Sequence, residues 1–293
     1  MQFDKTPQKF GKDYISIQKL YTGELYEEYK VKNSSSNIFV LKLFNKKGLP
    51  PKKIIKEIQI GIHLNKKEEE FSHVIKYISS GSELSSKRTY IVYELLEKKS
   101  LLDYLVLAPY FEERFAMIVF WKLINIIQHL HKIGIGGMSI SLDKIYIDNN
   151  YNLKLSRIDS AQFIKDPKSF KSSLLENDFS QLSDLVLQLI SGKSLLTIPQ
   201  VQLLKYIEKE KYELIWKSIE MQSDQKFSEE IKELINFLLS LKFNKQKKGK
   251  LHEFLNNQAW CQEINSKENE DYFKETLKRL EENEKTACNY HFH

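Results

Sequence analysis

The sequence predicts an α+β protein in two parts, a small antiparallel sheet carrying one helix and then a larger, mainly helical region. Three observations predict it. Short apolar runs with partial alternation fill roughly the first 95 residues. One amphipathic stretch interrupts them, and from Ser100 onward the apolar spacing lengthens to the helical period.

The elements follow in order. YISIQKLY (14–21), LYEEYKVK (25–32) and NIFVLKLF (37–44) read as strands, parted by Thr22-Gly23 and by the turn cluster 33–36. Pro50-Pro51 then opens a helix in which Ile54, Ile58 and Ile62 recur at i, i+4 and i+8. Two further strand runs, HVIKYISS and TYIVYELL, flank the polar turn 83–87, completing five strands and one helix. After a short helix in SLLDYLVL comes FEERFAMIVFWKLINIIQHLHKIG, apolar nearly all round and closing on basic side chains and Gly134, so it is expected at the centre. A strand pair, KIYIDNNYNLKLS, turns at Asn149-Asn150. Helices follow in FSQLSDLVLQLISGK, TIPQVQLLKYIEKE and SEEIKELINFLLSLK. The tail carries Phe273, Leu277 and Leu280 in one stripe and reads as a terminal amphipathic helix.

Composition excludes several classes. A chain of 293 residues with 41% hydrophobic content can bury a sizeable core. Its longest apolar run, FAMIVFW, is too short to span a membrane, and MQFDKTPQKF has no signal-peptide apolar region, so a cytoplasmic protein with no membrane partner is expected. Cys261 and Cys288 lack metal-ligand spacing and are expected as reduced thiols. His129 and His131, two apart on a helix, face different ways and make no metal pair. The net charge of +6 is spread over a mixed surface. The lysine-rich run KFNKQKKGK, Lys242 to Lys250, is expected as a solvated loop, with nucleic acid, a tubulin-like acidic surface of the cytoskeleton or anionic lipid as the alternative partners.

Along residues 10–260 or so these signals fall in the order of the eukaryotic protein kinases, and the sequence resembles that family. FVLKLF resembles the strand bearing the nucleotide-phosphate lysine, here Lys42, and IIKEIQI the C-helix bearing its carboxylate partner, here Glu57. HVIKYISS and YIVYELLEKKSLLDYL resemble the next two strands and the hinge, with Tyr93 as gatekeeper and Glu94 opening the hinge. NDFSQLSDLVLQLISGK resembles the buried central helix led by an aspartate, here Asp178. SEEIKELINFLLSL with LHEFLNNQAW resembles the last helical hairpin.

The resemblance implies a bilobal fold, with an extension at 1–13, an N-lobe of five strands plus the C-helix at 14–95, a C-lobe at 96–260 and a tail helix at 261–293. It also locates what is missing. The histidine–arginine–aspartate catalytic loop falls on Gly137-Met138-Ser139, and its metal-binding asparagine on Lys144. About 18 positions later the aspartate–phenylalanine–glycine motif reads Arg157-Ile158-Asp159. Ser139, Lys144 and Arg157 are thus degenerate positions, with no catalytic base and no metal ligands. Asp143, Asp148 and Asp159 are not read as substitutes. In the glycine-rich loop Tyr21, Gly23 and Tyr26 take the three glycine positions and Glu28 that of the valine. Gly137 and Gly61 leave gaps in the family's regulatory stack, so the active position of the C-helix is not assured. Asp178 follows Asp159 by 19 positions, about half the family's activation segment, and no alanine–proline–glutamate motif appears.

The expected protein is a pseudokinase used as a scaffold or structural subunit, without phosphoryl transfer and without cofactor or metal. Gly23, Lys42, Glu57 and Glu94 remain as vestigial nucleotide contacts. The Lys42–Glu57 pair is expected as a structural contact, and Asp178 as an acceptor for loop amides. Magnesium-free ATP binding through Lys42, Lys144 and Arg157 is the lesser expectation. The alternative is an unconventional nucleotide-binding or nucleotide-transferring enzyme with a rewired site. Partners are expected at the C-terminal helix and at the surface bared by the short activation segment.

Overall fold

A computed structural model describes residues 8–46, 48–66, 71–83, 85–164, 173–195, 198–241 and 250–290. Its elements in chain order are β1 Lys9–Phe10, β2 Tyr14–Thr22, β3 Tyr26–Lys32, β4 Ile38–Phe44, α1 Pro51–Asn65, β5 Tyr77–Ser82, β6 Thr89–Glu94, α2 Leu101–Leu107, α3 Glu113–Lys132, β7 Ile135–Gly136, β8 Ile145–Ile147, β9 Leu153–Leu155, β10 Gln162–Phe163, α4 Ser173–Ser191, α5 Gln200–Glu208, α6 Tyr212–Ser223, α7 Glu229–Ser240, α8 Leu251–Asn256, α9 Ala259–Glu263 and α10 Lys267–Tyr290. The chain divides into two compact units. Unit 1 runs to Glu97 and takes in Lys154–Gln162, while unit 2 holds Lys98–Leu153 and everything from Phe163 onward.

Unit 1 is built on an antiparallel sheet of order β1-β2-β3-β4-β6-β5. The five strands expected are therefore six. The extra strand β1 lies in the stretch expected as an extension, where Lys9 and Phe10 pair with Ile15 and Tyr14. Phe10 is the reason: fully buried, it packs on the rings of Tyr29 at 5.0 Å and Tyr90 at 6.3 Å and holds the two-residue strand in place. Around it Tyr14, Val31, Leu41, Leu43 and Val92 complete the core. Alternation then fixes what the other face carries, because burying Leu41 and Leu43 on one side turns Lys42 to the other. In register Lys42 lies between Glu28 of β3 and Ile91 of β6.

Helix α1 buries Ile54, Glu57, Ile60, Gly61 and Leu64. Gly61 is a point of close approach: a β-carbon there would sit 2.8–2.9 Å from the ring and Cβ of Tyr77. The expected gap on the C-helix is thus filled by Tyr77, buried and edge-on to Tyr93 at 6.4 Å. That expectation is corrected, since a ring supplied by β5 does the packing that a side chain on α1 would have done.

In unit 2, α3 is central as expected, with Phe115, Phe120, Leu123, Ile124, Ile127 and Leu130 fully buried, and α4 packs on both α3 and α7. Ser100 and Asp103 form a reciprocal capping box at the start of α2. Ser228 caps α7 and also donates its backbone N–H to Glu113 at 2.9 Å. Helix α6 had gone unread, although Ile215, Trp216 and Ile219 form its buried stripe.

The tail helix α10 packs on α2 and α3 of its own unit. Phe273 is fully buried and stacks on Phe115 at 5.1 Å, which stacks in turn on Phe111 at 4.3 Å. Arg114 bonds Glu268 and Asn269, Lys122 bonds Glu270, and Glu281 accepts from Tyr104, from Tyr151 at 2.9 Å and from Lys98 at 3.2 Å. The expectation that this stripe docks a partner is therefore corrected. Phe273 and Leu277 are both spent on the unit's own core, together worth about 3–6 kcal/mol of burial. Residues 242–249, most of the lysine-rich run, and 165–172, in the short activation segment, lie outside the described residues.

Candidate functional site

The candidate residues fall in two sets, one in each unit. In unit 1 Lys42 is buried in the middle strand and its ammonium donates to Glu57 Oε1 at 2.9 Å and Oε2 at 3.3 Å. Glu57 also accepts from the Tyr93 hydroxyl at 2.7 Å, so the gatekeeper position is tied to the same carboxylate. Burial, then the charge of Glu57, pushes the Tyr93 hydroxyl well above its ordinary pKa, which keeps it a donor. The second carboxylate near Lys42 is Asp159 at 3.7 Å, whose buried Oδ1 has no protein hydrogen-bond partner.

The glycine-rich positions bring aromatic mass to this cluster. The Tyr26 ring lies 4.6 Å from the Lys42 ammonium and 5.8 Å from the Arg157 guanidinium, sharing its faces between two cations. Burial above all pushes the Tyr26 hydroxyl up to about 12. Arg157 further approaches Glu28 at 3.9 Å, and burial raises the Glu28 carboxyl despite that cation. Gly23 lies against the Tyr21 ring, whose hydroxyl would meet a β-carbon there at 2.5 Å. Glu94 accepts from Lys154 and from the backbone N–H of Lys76. In this unit the cations that could meet a phosphate already face carboxylates and a ring.

Unit 2 holds the loop. Gly137, at φ +73°, and Ser139, at φ +52°, curve the backbone so that the N–H groups of Gly137 and Met138 both reach Asp178, each at 2.8 Å. Asp178 is fully buried and bonds the His131 ring at 2.8 Å as well. Two residues past Met138, the Ile140 N–H donates to Gln181 at 2.6 Å. Lys144, ending a 3₁₀ turn at Leu142–Lys144, swings its ammonium back to the Ser139 carbonyl at 2.8 Å and to its hydroxyl at 2.9 Å. Of the carboxylates nearby, Asp143 accepts from Ser141, and Asp148 holds the β8–β9 turn through the N–H groups of Asn150 and Asn152.

His131 was missed as a partner of Asp178. Its place on the buried face of α3 beside Ile127 and Leu130 was the available signal. Arg157 was read as a lost ligand and as a cation for phosphate, and its approach to Tyr26 and Glu28 depends on strand packing that spacing does not reveal. Ser139 with Lys144 presents an ammonium, which is no metal ligand, and among the described residues no group of three or more His, Cys, Asp and Glu side chains could hold a metal ion.

Residues 14–181, more than half of the chain, match the protein kinase domain family, and the chain belongs to it. Over 97 residues it is 30% identical to testis-specific serine/threonine-protein kinase 5 of Mus musculus, a match covering 31% of this chain and 25% of that protein. The likeness thus spans only about a quarter of that relative's length. No helix among the described residues is long and apolar enough to cross a membrane.

Proposed function

We propose that the chain is a pseudokinase, a protein kinase domain that transfers no phosphate and serves as a scaffold or structural subunit of a larger cytoplasmic assembly. The observation that carries this reading is Lys144, whose ammonium is hydrogen-bonded to Ser139 within unit 2. Phosphoryl transfer in the family relies on a carboxylate that accepts from the attacking hydroxyl and on oxygen ligands for magnesium. A serine hydroxyl that accepts a hydrogen bond from an ammonium is not a base near neutral pH, and the ammonium repels a dication. Arg157 adds a cation in unit 1, where the ring of Tyr26 covers the Lys42 ammonium. An ammonium at 144 and a guanidinium at 157 donate hydrogen bonds and offer magnesium no lone pair, which supports the inactive reading.

Two measurements test the reading. Labelled ATP with magnesium or manganese is expected to leave the protein and generic substrates unlabelled, and incorporation that vanishes in Lys42→Ala would overturn it. Thermal denaturation with ATP is expected to show no magnesium-dependent shift. Such a shift would favour a nucleotide-handling enzyme instead.

A further inference from the structure

In unit 2 the first turns of α3 and α7, helix α9 and the start of α10 line a cavity of about 840 Å³. Its apolar lining is Met117, the buried Ile264 and Trp260, whose ring is held edge-on by Phe120 at 6.1 Å and Trp121 at 6.4 Å. The same lining carries four carboxylates, Glu113, Glu230, Glu263 and Glu268, against one guanidinium, Arg114. In a chain of net charge +6 this is a local excess of negative charge.

Much of that charge is already engaged. Arg114 donates to Asn269 Oδ1 at 2.8 Å and to Glu268 at 2.7 Å, and the buried Asn269 donates on to the Glu263 carbonyl at 2.9 Å. Glu113 accepts from the Ser228 N–H at 2.9 Å. These bonds set the walls without any ligand. Glu230 and Glu263 are left, both exposed and neither in an ion pair among the described residues. Glu230 at least complements the dipole of α7, in whose first turn it lies. Glu263 ends α9, where the helix carbonyls already present negative charge and a carboxylate is disfavoured.

We propose that this cavity binds an alkylammonium chain, its methylenes against Met117, Trp260 and Ile264 and its charged nitrogens at Glu230 and Glu263. The two kinds of lining select that chemistry together. An anion would be repelled, and a neutral apolar molecule would cover two carboxylates without pairing them. A bare metal ion has no use for the apolar lining, and no group of three or more ligating side chains among the described residues could hold one. A methylene stem with a charged head lies along apolar surface while its head meets carboxylates, and the Trp260 ring is itself attractive to a cation. A free polyamine and the lysine side chains of a protein segment both supply that chemistry. The cavity shares no residue with Ser139, Lys144 or Arg157. Detection of phosphate transfer would refute the inactive reading and leave this site standing.

The test titrates the purified full chain with spermidine and, separately, with an acetylated tetralysine amide, following heat and the indole N–H resonances of the three tryptophans. Saturable binding tighter than about 1 mM is expected with at least one probe. The resonance that disappears in Trp260→Phe is expected to shift on binding, while that of Trp216 stays in place. Affinity is expected to fall at least about tenfold in Glu230→Gln with Glu263→Gln and to weaken in roughly 0.5 M salt. It is expected to be unchanged in Glu213→Gln, an exposed carboxylate on α6. Positions 230 and 263 are exposed, so the double variant is expected to melt like the parent, and the two single variants with the Trp260 resonance decide the matter should it not. The tighter probe assigns the source, a free polyamine for spermidine and a protein segment for the peptide. Four results would each overturn the proposal: no saturable binding by either probe, binding that survives the double variant, a Trp260 resonance that stays still, or the same shift from magnesium chloride at equal concentration.

Discussion

Replacing Asp178 by alanine isolates the energetic role of the unit 2 loop. The carboxylate is fully buried and accepts from the N–H groups of Gly137 and Met138 and from the His131 ring, all at 2.8 Å. Hydrogen bonds to a charged acceptor contribute about 1.5–3 kcal/mol each, so the two amides alone represent about 3–6 kcal/mol. Relief of the carboxylate's own burial offsets part of this, leaving an expected loss of about 2–4 kcal/mol. That is a large share of the 5–15 kcal/mol or so that holds a typical domain together. The assay can be confined to the unit concerned, because the three tryptophans of the chain, Trp121, Trp216 and Trp260, all lie in unit 2. Urea unfolding followed by tryptophan fluorescence should show a lower midpoint at unchanged slope. Asp178→Asn keeps one acceptor oxygen and should lose clearly less. An unchanged midpoint in the alanine variant, or equal losses in the two, would refute the reasoning.

Three further outcomes are expected. Gly61→Ala drives a β-carbon into the Tyr77 ring and should destabilise unit 1 by about 1–3 kcal/mol, seen as faster hydrogen exchange across α1, and a silent substitution would count against that packing. For Glu281, burial is the largest single influence and acts upward, yet hydrogen bonds from Tyr104, Tyr151 and Lys98 together leave the carboxyl below its ordinary 4.5. A depressed folded pKa gives stability that is complete above that ordinary value and lost as the pH falls through the folded one, so acid should loosen α10 by proteolysis, and Glu281→Gln should flatten the dependence. Cys261, its thiol pushed up to about 12 by burial, should resist alkylation at pH 8 in the folded protein and react once unfolded, as peptide mapping would read.

Much of the fold was legible because its signals are local. Leu41, Leu43 and Val31 announce strands by alternation, Ile54, Ile58 and Ile62 a helix by period, although of these three only Ile54 is buried and Ile62 is exposed, and the long apolar α3 its own burial. What escaped depends on partners distant in the chain. Strand β1 is two residues long and exists because Phe10 finds Tyr29 and Tyr90. Helix α6 was hidden by charged residues interleaved with Ile215 and Trp216. The fill of Gly61 by Tyr77 joins residues 16 apart on different elements, which neither period encodes. In the candidate site the positions of Lys42, Glu57, Ser139, Lys144 and Arg157 were readable from motif spacing. Their engagements were not: Lys144 folding back on Ser139, Arg157 against Tyr26, and Tyr93 on Glu57 are settled by side-chain packing. The tail shows the same limit, since its apolar stripe was plain but that it rests on Phe115 was not.

The hydrogen bonds from Lys144 to Ser139 also bear on how this sequence can change. A carboxylate restored at position 139 by one substitution would arise within reach of an ammonium and be held there as an ion pair, its basicity lowered by the very neighbour that must also be replaced. An asparagine restored at 144 alone would face a serine and gain no base. Neither step improves the loop without the other, and Arg157 stands as a third requirement in a different unit. If the proposed inactive reading holds, no single substitution rebuilds that arrangement, and selection then acts on the chain's shape and surface.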